Sequence, residues 1–173
     1  MNGRGGKLKT QKTKDMEKAL ILKALRQGKH PSLEVEYNHT KLIADDTYWP
    51  TGKTEYIDAV IEKSGIFTCM ELKVSMQDLH SKAAQTFVGN KNYLVCPMEM
   101  AKKIKNSNDP WLKKHPKVGI IGWDGKESFR AIKMCKINYQ IPINDWMTLA
   151  KGMISSMSKE IKKEIKKDYE NDN

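Results

Sequence analysis

The sequence contains little cysteine and no long apolar segment. Its three cysteines, Cys69, Cys96 and Cys135, are too few and odd in number for a disulfide framework in 173 residues. No run of 18 apolar residues occurs, so the sequence predicts no membrane-spanning helix. The basic, Gly-rich start at residues 1–10 lacks the apolar stretch of a secretory signal. We therefore expect a cytoplasmic protein with no membrane partner.

Motifs of several common enzyme classes are absent as well. The cysteines form no CxxC pair and the histidines have no HExxH spacing, which argues against a zinc site. No GxSxG nucleophile elbow occurs. Residues 51–54, TGKT, look like the end of a phosphate-binding P-loop, but Thr47 stands where that motif has its first glycine. We therefore expect neither a zinc enzyme, nor a serine hydrolase, nor a P-loop NTPase.

Positive charge is in clear excess. The chain has 31 Lys and Arg against 21 Asp and Glu, a formal net charge of +10. This excess favours a polyanionic partner, because clustered cations release counterions from phosphate backbones, although charge alone does not separate nucleic acid from an anionic membrane surface. The charge is concentrated in residues 1–14 and 102–117. From these clusters we predict the following nucleic-acid contacts: Lys7, Lys9, Lys12, Lys102, Lys103, Lys105, Lys113 and Lys114.

Periodicity and turn residues predict a single mixed α/β domain. We expect a flexible basic arm at 1–13, the domain at 14–142 and a C-terminal helix at 143–173, packed on that domain or extending from it. The clearest strands are 56–62 and 66–74, which are rich in β-branched and aromatic residues. The other predicted elements are helices at 14–27, 75–86, 98–105 and from about 144, one or two strands within 33–44, a loop at 45–53, a strand at 93–96 and a hairpin at 118–137.

Two carboxylates on the clearest strands are predicted to face each other. If the turn at 64–65 is a two-residue hairpin loop, counting back along the ladder places Asp58 opposite Glu71, whereas a three-residue loop would place Ile57 there. Like charges directly opposite each other destabilise a sheet, by up to about 1 kcal/mol on an exposed face, and a divalent cation between them removes that penalty. Lys73 shares the face of Glu71, because side chains alternate along a strand.

These residues have the chemistry of a metal-dependent hydrolase. Two carboxylates and a backbone carbonyl, here that of Leu72, can bind Mg²⁺ or Mn²⁺ and leave positions for water and a phosphate oxygen. A lysine beside that water can orient it or neutralise developing charge, which we expect of Lys73. Glu17 lies within the apolar arc of the first helix and could add a ligand. The alternative for Glu17 is a carboxylate favoured by the helix N-terminus that bends out to solvent.

The acidic residues and the lysine also resemble a known motif. Asp58, followed after twelve residues by Glu71, Leu72 and Lys73, resembles the PD-(D/E)XK motif of restriction-endonuclease-like nucleases. ELKVSMQD at 71–78, NYLVCP at 92–97 and VGIIGWDG at 118–125 are similar to the MmcB-type DNA-repair nuclease branch. The likeness covers roughly residues 15–140 and departs from the pattern at Ile57, where the superfamily often has proline. It implies an αβββαβ core with a mixed sheet flanked by helices, followed here by a β-hairpin and a helix.

The resemblance implies a role for each matching residue. Asp58 and Glu71 would be metal ligands together with the Leu72 carbonyl, Lys73 would be the catalytic lysine, and Glu17 would match the acid of the first helix. Gln85 lies one predicted helix further on, where some relatives place a glutamine near the substrate. The alternative for Gln85 is an ordinary solvent-facing helix residue.

The implied function is hydrolysis of phosphodiester bonds in DNA with Mg²⁺ or Mn²⁺. We expect a structure-selective endonuclease in DNA repair, recombination or phage DNA processing, in the cytoplasm of a bacterial or phage-infected cell. Junction resolvases of the same superfamily would be dimers, so a homodimer stays open. Two alternatives remain: a catalytically inactive nucleic-acid-binding accessory protein, and a basic protein–protein or inhibitory factor in which the three motif residues are only a surface face.

Overall fold

The computed structural model describes residues 9–44 and 47–171, in which five helices and six strands are interleaved. The helices are α1 (Gln11–Arg26), α2 (Met76–Leu79), α3 (Met98–Asn106), α4 (Pro110–Lys114) and α5 (Ile143–Asn171). The strands are β1 (His30–Ala44), β2 (Thr47–Lys63), β3 (Ile66–Leu72), β4 (Lys91–Pro97), β5 (Gly119–Trp123) and β6 (Phe129–Lys133).

The six strands form one mixed sheet in the order β1-β2-β3-β4-β5-β6. The pairs β1–β2, β2–β3 and β5–β6 are antiparallel, and the pairs β3–β4 and β4–β5 are parallel. Between β2 and β3, Ser64 and Gly65 both have positive φ, 54° and 78°, as a two-residue type I′ hairpin loop requires. Lys63 therefore pairs with Ile66, which is the register of the shorter loop considered in the sequence.

Helices cover both faces of this sheet. α1 packs on one face, where Leu20 lies in a cluster with Met70. The opposite face carries two further clusters, one under α3 and α4 around Leu94 and one under α5 around Leu149. Neighbouring strand residues alternate between the faces, so that Cys69 lies under α5 while Met70 lies under α1. The predicted α/β class with a mixed sheet flanked by helices is confirmed at this level.

Two predicted boundaries near the start of the chain are wrong. α1 begins at Gln11, so residues 11–13 belong to a helix and not to the arm predicted at 1–13. The hydroxyl of Thr10 accepts a hydrogen bond from the N–H of Thr13 and caps α1, a signal hidden within a run of basic residues. The loop predicted at 45–53 is strand from residue 47 onward, because β1 and β2 pair over a long antiparallel ribbon.

The helix predicted at 75–86 is wrong beyond its first turn. Ser75 caps α2 by accepting from the N–H of Asp78, but α2 ends at Leu79. A continuing helix would direct the N–H of Thr86 to the carbonyl of residue 82, whereas this N–H donates to the carboxylate of Glu71. Tertiary hydrogen bonds therefore override the helical pattern of this segment.

α5 has two different halves. Its first half packs on β1, with Leu149 and Met153 buried and the Ser156 hydroxyl donating to the carbonyl of Leu33 at 2.5 Å. Residues 157–169 are exposed. α5 begins at Ile143, close to the start predicted from the sequence. Among the described residues, no helix combines the length and apolar character needed to cross a membrane.

Candidate active site

The candidate site lies where, in two neighbouring strands, the regular alternation of side chains between the two faces of the sheet is broken. Ile57 packs in the cluster under α5 while Ala59 packs under α1, so the alternation along β2 breaks at Asp58. β1 has the same break at the opposing position, Glu34, whose neighbours 33 and 35 lie on different faces. Glu34 has a φ of 49°, a left-handed conformation that costs a residue other than glycine about 1–2 kcal/mol. Asp58 is thereby removed from the regular pleat, next to the end of β3.

Asp58, Glu71 and Lys73 converge at that end of β3. The Oδ2 of Asp58 accepts the backbone N–H of Leu72 at 2.8 Å, which fixes the carboxylate against the last residue of the strand. The Nζ of Lys73 lies 3.8 Å from Asp58 Oδ2 and 3.7 Å from Glu71 Oε2. The side chain of Glu71 is 1% exposed, that of Lys73 8% and that of Asp58 31%. One ammonium thus lies between two carboxylates, and Asp58 is the most accessible of the three side chains.

The charges at this site do not balance if both carboxylates are ionised. Burial first, and then the charge of Asp58, raise the pKa of Glu71 to about 8, while Lys73 and the N–H of Thr86 act in the opposite direction. Without a further cation, Glu71 therefore holds a proton during most of the time at pH 7. A cation bound between the two carboxylates would restore the balance and favour the ionised form.

Thr86 connects Glu71 to another carboxylate that the sequence did not single out. Its N–H donates to Glu71 Oε1 at 3.2 Å, and its hydroxyl donates to Glu55 Oε2 at 2.6 Å. Glu55 also contacts Lys53 at 2.7 Å and His39 at 2.9 Å. Burial alone would raise the pKa of Glu55, but these hydrogen bonds hold it at about 2. These contacts join residues from three separate segments of the chain, so the sequence alone does not identify the cluster around Glu55.

Glu17 is buried and paired with a lysine. α1, which carries it, covers the face of the sheet opposite to Glu71. The Nζ of Lys9 lies 2.5 Å from Glu17 Oε1 and 2.7 Å from Glu34 Oε1. Burial raises the pKa of Glu17, while the hydrogen bond from Lys9 lowers it in part. Glu17 therefore does not bend out to solvent, and the charge of Asp58 adds to the rise of its pKa; its role as an additional ligand stays a prediction.

The predicted nucleic-acid contacts fall into three groups. Lys7 lies outside the described residues, and Lys9 is occupied by its ion pairs with two glutamates. Lys12 is exposed on the first turn of α1. The remaining five are exposed on α3 and α4: Lys102, Lys103, Lys105, Lys113 and Lys114. α3 and α4 are adjacent helices, so these five lysines form a basic surface of the domain, in which Lys102 is paired with Glu99 at 3.0 Å.

Gln85 is not the solvent-facing helix residue that the sequence allowed as its alternative. It is half-buried in the irregular segment after α2. Its Nε2 donates to the carbonyl of Leu79 at 2.9 Å, and its Oε1 accepts from the indole N–H of Trp111 at 2.6 Å. Both ends of the amide are used inside the protein, so Gln85 holds α4 against the end of α2 and would have to break these bonds to reach a substrate.

The pair of carboxylates fits some metals and not others. Among residues 9–44 and 47–171, no three His, Cys, Asp or Glu side chains lie close enough together to hold a metal ion. That donor set does not fit zinc, which takes three or four protein ligands. It fits Mg²⁺ or Mn²⁺, because such ions are commonly held by one or two carboxylates and keep several waters. Asp58, Glu71 and a carbonyl at the end of β3 would be the protein's share of that shell.

Comparison with known proteins gives no match from which a function could be inferred. No protein-family model, no curated protein and no solved structure matches the chain. The resemblance carried by Asp58, Glu71 and Lys73 therefore rests on the motif itself and on the distances between these three side chains.

Proposed function

We propose that the protein is a divalent-metal-dependent nuclease that hydrolyses phosphodiester bonds in DNA. The observation that carries the proposal is the convergence of Asp58, Glu71 and Lys73, with one ammonium within 3.8 Å of both carboxylates. The order α1, β1, β2, β3, α2, β4 is compatible with the αβββαβ nuclease core, with α2 reduced to one turn. Assignment to that core is part of the proposal.

Asp58 and Glu71 are the residues that would hold the metal ion, with the Leu72 carbonyl as the third protein ligand. When bound, Mg²⁺ or Mn²⁺ lowers the pKa of a coordinated water and stabilises negative charge on the phosphate. Glu71 must be ionised to act as a ligand, so metal binding at neutral pH would displace its proton. The backbone N–H of Leu72 donates to Asp58 Oδ2 and keeps that oxygen in place.

Lys73 supplies the positive charge of the proposed mechanism. Its side chain is 8% exposed, and a charge in a poorly hydrated site acts more strongly on a transition state than one in water. We infer that its ammonium orients the attacking water or neutralises charge that develops on the phosphate. Asp58 is the most exposed member of the group, so substrate would approach from its side.

The basic surface supports a polyanionic substrate. The five exposed lysines of α3 and α4, with Lys12 on α1, can contact a phosphate backbone, and such contacts position a duplex without reading its sequence. We therefore propose structure-selective cleavage of branched, flapped or single-stranded DNA, in repair, recombination or phage DNA processing. Whether one or two copies act together is an outcome of the same experiments.

A cleavage panel tests the proposal. Labelled single-stranded, duplex, flap and four-way-junction DNA would be incubated with the protein in Mg²⁺, Mn²⁺ or EDTA, with Lys73→Ala as the inactive variant and Lys151→Ala as the matched control. We expect metal-dependent products from the wild type and from Lys151→Ala, and none from Lys73→Ala. Absence of products with every substrate and both metals would overturn the proposal.

A second candidate is a nucleic-acid-binding protein of the same fold that does not cleave. It is favoured by the ion pair of Glu17 with Lys9 and by the lack, among residues 9–44 and 47–171, of three His, Cys, Asp or Glu side chains placed to hold a metal ion. This candidate predicts salt-sensitive DNA binding that is the same in Mg²⁺ and in EDTA, with no cleavage. The panel above separates it from the nuclease.

A further inference from the structure

A basic groove lies on the α1 face of the sheet, opposite to the face of Glu71. It has a volume of about 540 Å³ and is enclosed by the second half of α1 and by side chains of β2 to β6. Its floor is apolar and includes Ile61, Met70, Tyr93 and Ile121. Four lysines from four different segments surround it: Lys23, Lys29, Lys63 and Lys91. In the described part of the chain, no acidic residue lines the groove.

Two of these lysines are positioned by neutral groups. The Nζ of Lys23 donates to the carbonyl of Phe129 at 3.2 Å, and the Nζ of Lys63 donates to the carbonyl of Gln27 at 3.2 Å. A carbonyl oxygen orients an ammonium but does not cancel its charge. Both charges therefore remain at the edge of the groove.

The other two lysines have no anionic neighbour of their own. Over residues 9–44 and 47–171, neither Lys29 nor Lys91 forms an ion pair or a side-chain hydrogen bond. Burial first, and then the charges of Lys63, Lys91 and Lys23, lower the pKa of Lys29. The groove thus collects positive charge that no described residue neutralises, which is the electrostatic condition for binding an anion.

The shape and charge of the groove define its ligand. Four separated cations suit several negative charges better than a single carboxylate, and the apolar floor requires a ligand that also has an uncharged, apolar face. The volume lies within the roughly 300–1,000 Å³ of ordinary ligand cavities. Neither a second copy of this groove nor the basic residues 1–8 would be a suitable ligand, because each would add positive charge to the four lysines.

We propose that this groove binds a single strand of nucleic acid, with phosphates at the lysines and a base on the apolar floor. A single strand fits and a duplex does not, because unpaired bases expose their faces whereas paired bases are stacked inside the helix. The groove begins at Leu20, three residues beyond Glu17, and ends at Gln27, so it extends over about 5–15 Å along α1 from the level of Glu17. The inference deepens the proposed nuclease function by naming where an unpaired strand is held, and it rests on that function only for the choice of nucleic acid.

The first test measures binding in EDTA, so that cleavage plays no part. Fluorescence anisotropy of a labelled 12-nucleotide single strand would be recorded from 0.05 to 0.3 M salt for the wild type and for Lys29→Ala/Lys91→Ala. Lys151→Ala/Lys162→Ala, two exposed lysines of α5, removes the same charge elsewhere. We expect the groove variant to lose about 1.4 from the slope of log K against log salt, and roughly 25-fold in affinity at 0.1 M salt, since each lost phosphate contact contributes about 0.7 on a single strand.

The control pair should leave both the slope and the affinity close to those of the wild type. Equal losses in the two pairs would overturn the proposal, because net charge rather than the groove would then govern binding. Preferential binding of anionic phosphatidylglycerol vesicles, with no binding of the strand, would overturn it as well. If the groove variant still cleaves DNA in the presence of metal and binds the single strand with unchanged affinity, the groove proposal is wrong while the proposed nuclease function stands.

A second variant guards against a mere loss of folding. Ala131 is an exposed residue of β6 that lines the groove, and Ala131→Glu places a carboxylate among the four lysines. We expect Ala131→Glu to preserve or raise thermal stability and to weaken strand binding roughly tenfold, the electrostatic share of one to two phosphate contacts. Ala131→Gln, of nearly the same size, should bind within about twofold of the wild type. Equal binding by the Glu and Gln variants would contradict the proposal.

Discussion

The two faces of the sheet differ in the sign of their unbalanced charge. On one face, Glu71 shares a buried site with Asp58, and Lys73 supplies a single positive charge between them. On the other, four lysines surround an apolar groove that no described acidic residue lines. The acidic site is held by fixed hydrogen bonds, from Leu72 to Asp58 and from Thr86 to Glu71, whereas the basic groove is positioned by neutral carbonyls.

The sign of this charge indicates what each surface can bind. Burial raises the pKa of Glu71, and burial followed by the charges of neighbouring lysines lowers the pKa of Lys29, so each site makes the charged form of its residue less favourable than it is in water. A ligand of opposite charge reverses that preference in both places. We therefore interpret the acidic site as a receptor for a cation and the groove as a receptor for phosphates.

The largest effect should come from removing the ammonium of Lys73 at the acidic site. In Lys73→Ala, two carboxylates remain without a positive partner, and the charge proposed to act on the phosphate is lost. We expect the rate of DNA cleavage to fall by roughly 10²–10⁴-fold, the usual contribution of a positioned catalytic group. Single-turnover assays with the Lys151→Ala control measure this loss. A rate within tenfold of the wild type would show that Lys73 is not catalytic.

The next effect concerns stability and pH. The folded-state pKa of Glu71, about 8, lies above its ordinary value of 4.5, so the native protein binds a proton that the unfolded chain releases between these values. The metal-free protein should therefore lose stability as pH rises from about 4.5 to 8, by roughly 4 kcal/mol from this group. Glu71→Gln retains an oxygen for the N–H of Thr86 and carries no charge, so it should lack this contribution.

Urea unfolding in EDTA at pH 5, 6.5 and 8 measures the difference between the two proteins. We expect Glu71→Gln to be more stable than the wild type at pH 8 and about equally stable at pH 5, while being inactive in cleavage. Unfolding free energies that run parallel across the three pH values would contradict the burial of an ionisable Glu71 as the cause.

A smaller effect should separate binding from chemistry. Lys29→Ala/Lys91→Ala changes the groove on the face opposite to Glu71 and leaves the acidic site untouched. We expect KM for a single-stranded substrate to rise roughly tenfold with kcat unchanged, the pattern that follows when an interaction made equally in ground and transition states is removed. Steady-state kinetics in Mg²⁺ give both constants. A fall in kcat with constant KM would link the groove to the chemical step instead.

The smallest effect should come from the connection behind Glu71. Thr86→Val removes the hydroxyl that donates to Glu55 but keeps the N–H that donates to Glu71. Glu55 retains Lys53 and His39 as partners, so we expect a loss of about 1 kcal/mol in the free energy of unfolding and little change in cleavage. Thr86→Ser keeps the hydroxyl and should restore most of that stability. Equal stability of the Val and Ser variants would show that the hydrogen bond from the Thr86 hydroxyl to Glu55 does not stabilise the protein.

Parts of this fold were predictable because they depend on local pattern. The turn at Ser64 and Gly65 fixes the ladder between β2 and β3, and counting back from a two-residue loop, one of the two lengths that the sequence left open, predicts Asp58 beside Glu71. The α/β class followed from the order of helical and strand patterns. The predicted start of a helix at residue 75 was also correct, since the capping contact between Ser75 and Asp78 involves residues only three apart.

Other parts were not predictable because they depend on distant residues. The helix expected to reach Thr86 ends early, since Thr86 and Gln85 use their hydrogen-bonding groups on Glu71, Leu79 and Trp111. The strained φ of Glu34 arises where two strands change faces together, which no single strand reveals. The basic groove collects one lysine from each of four segments, so no charge run in the sequence marks it.

The most direct test of the central claim is whether the two carboxylates take a metal ion. Calorimetric titration of Mn²⁺ at pH 7, in two buffers of different ionisation enthalpy, reports both binding and the protons released. We predict one ion per site with release of most of one proton in the wild type, because Glu71 must ionise to bind, and no binding by Glu71→Gln or Asp58→Asn. Absence of Mn²⁺ binding in the wild type, or equal binding by both variants, would contradict the account.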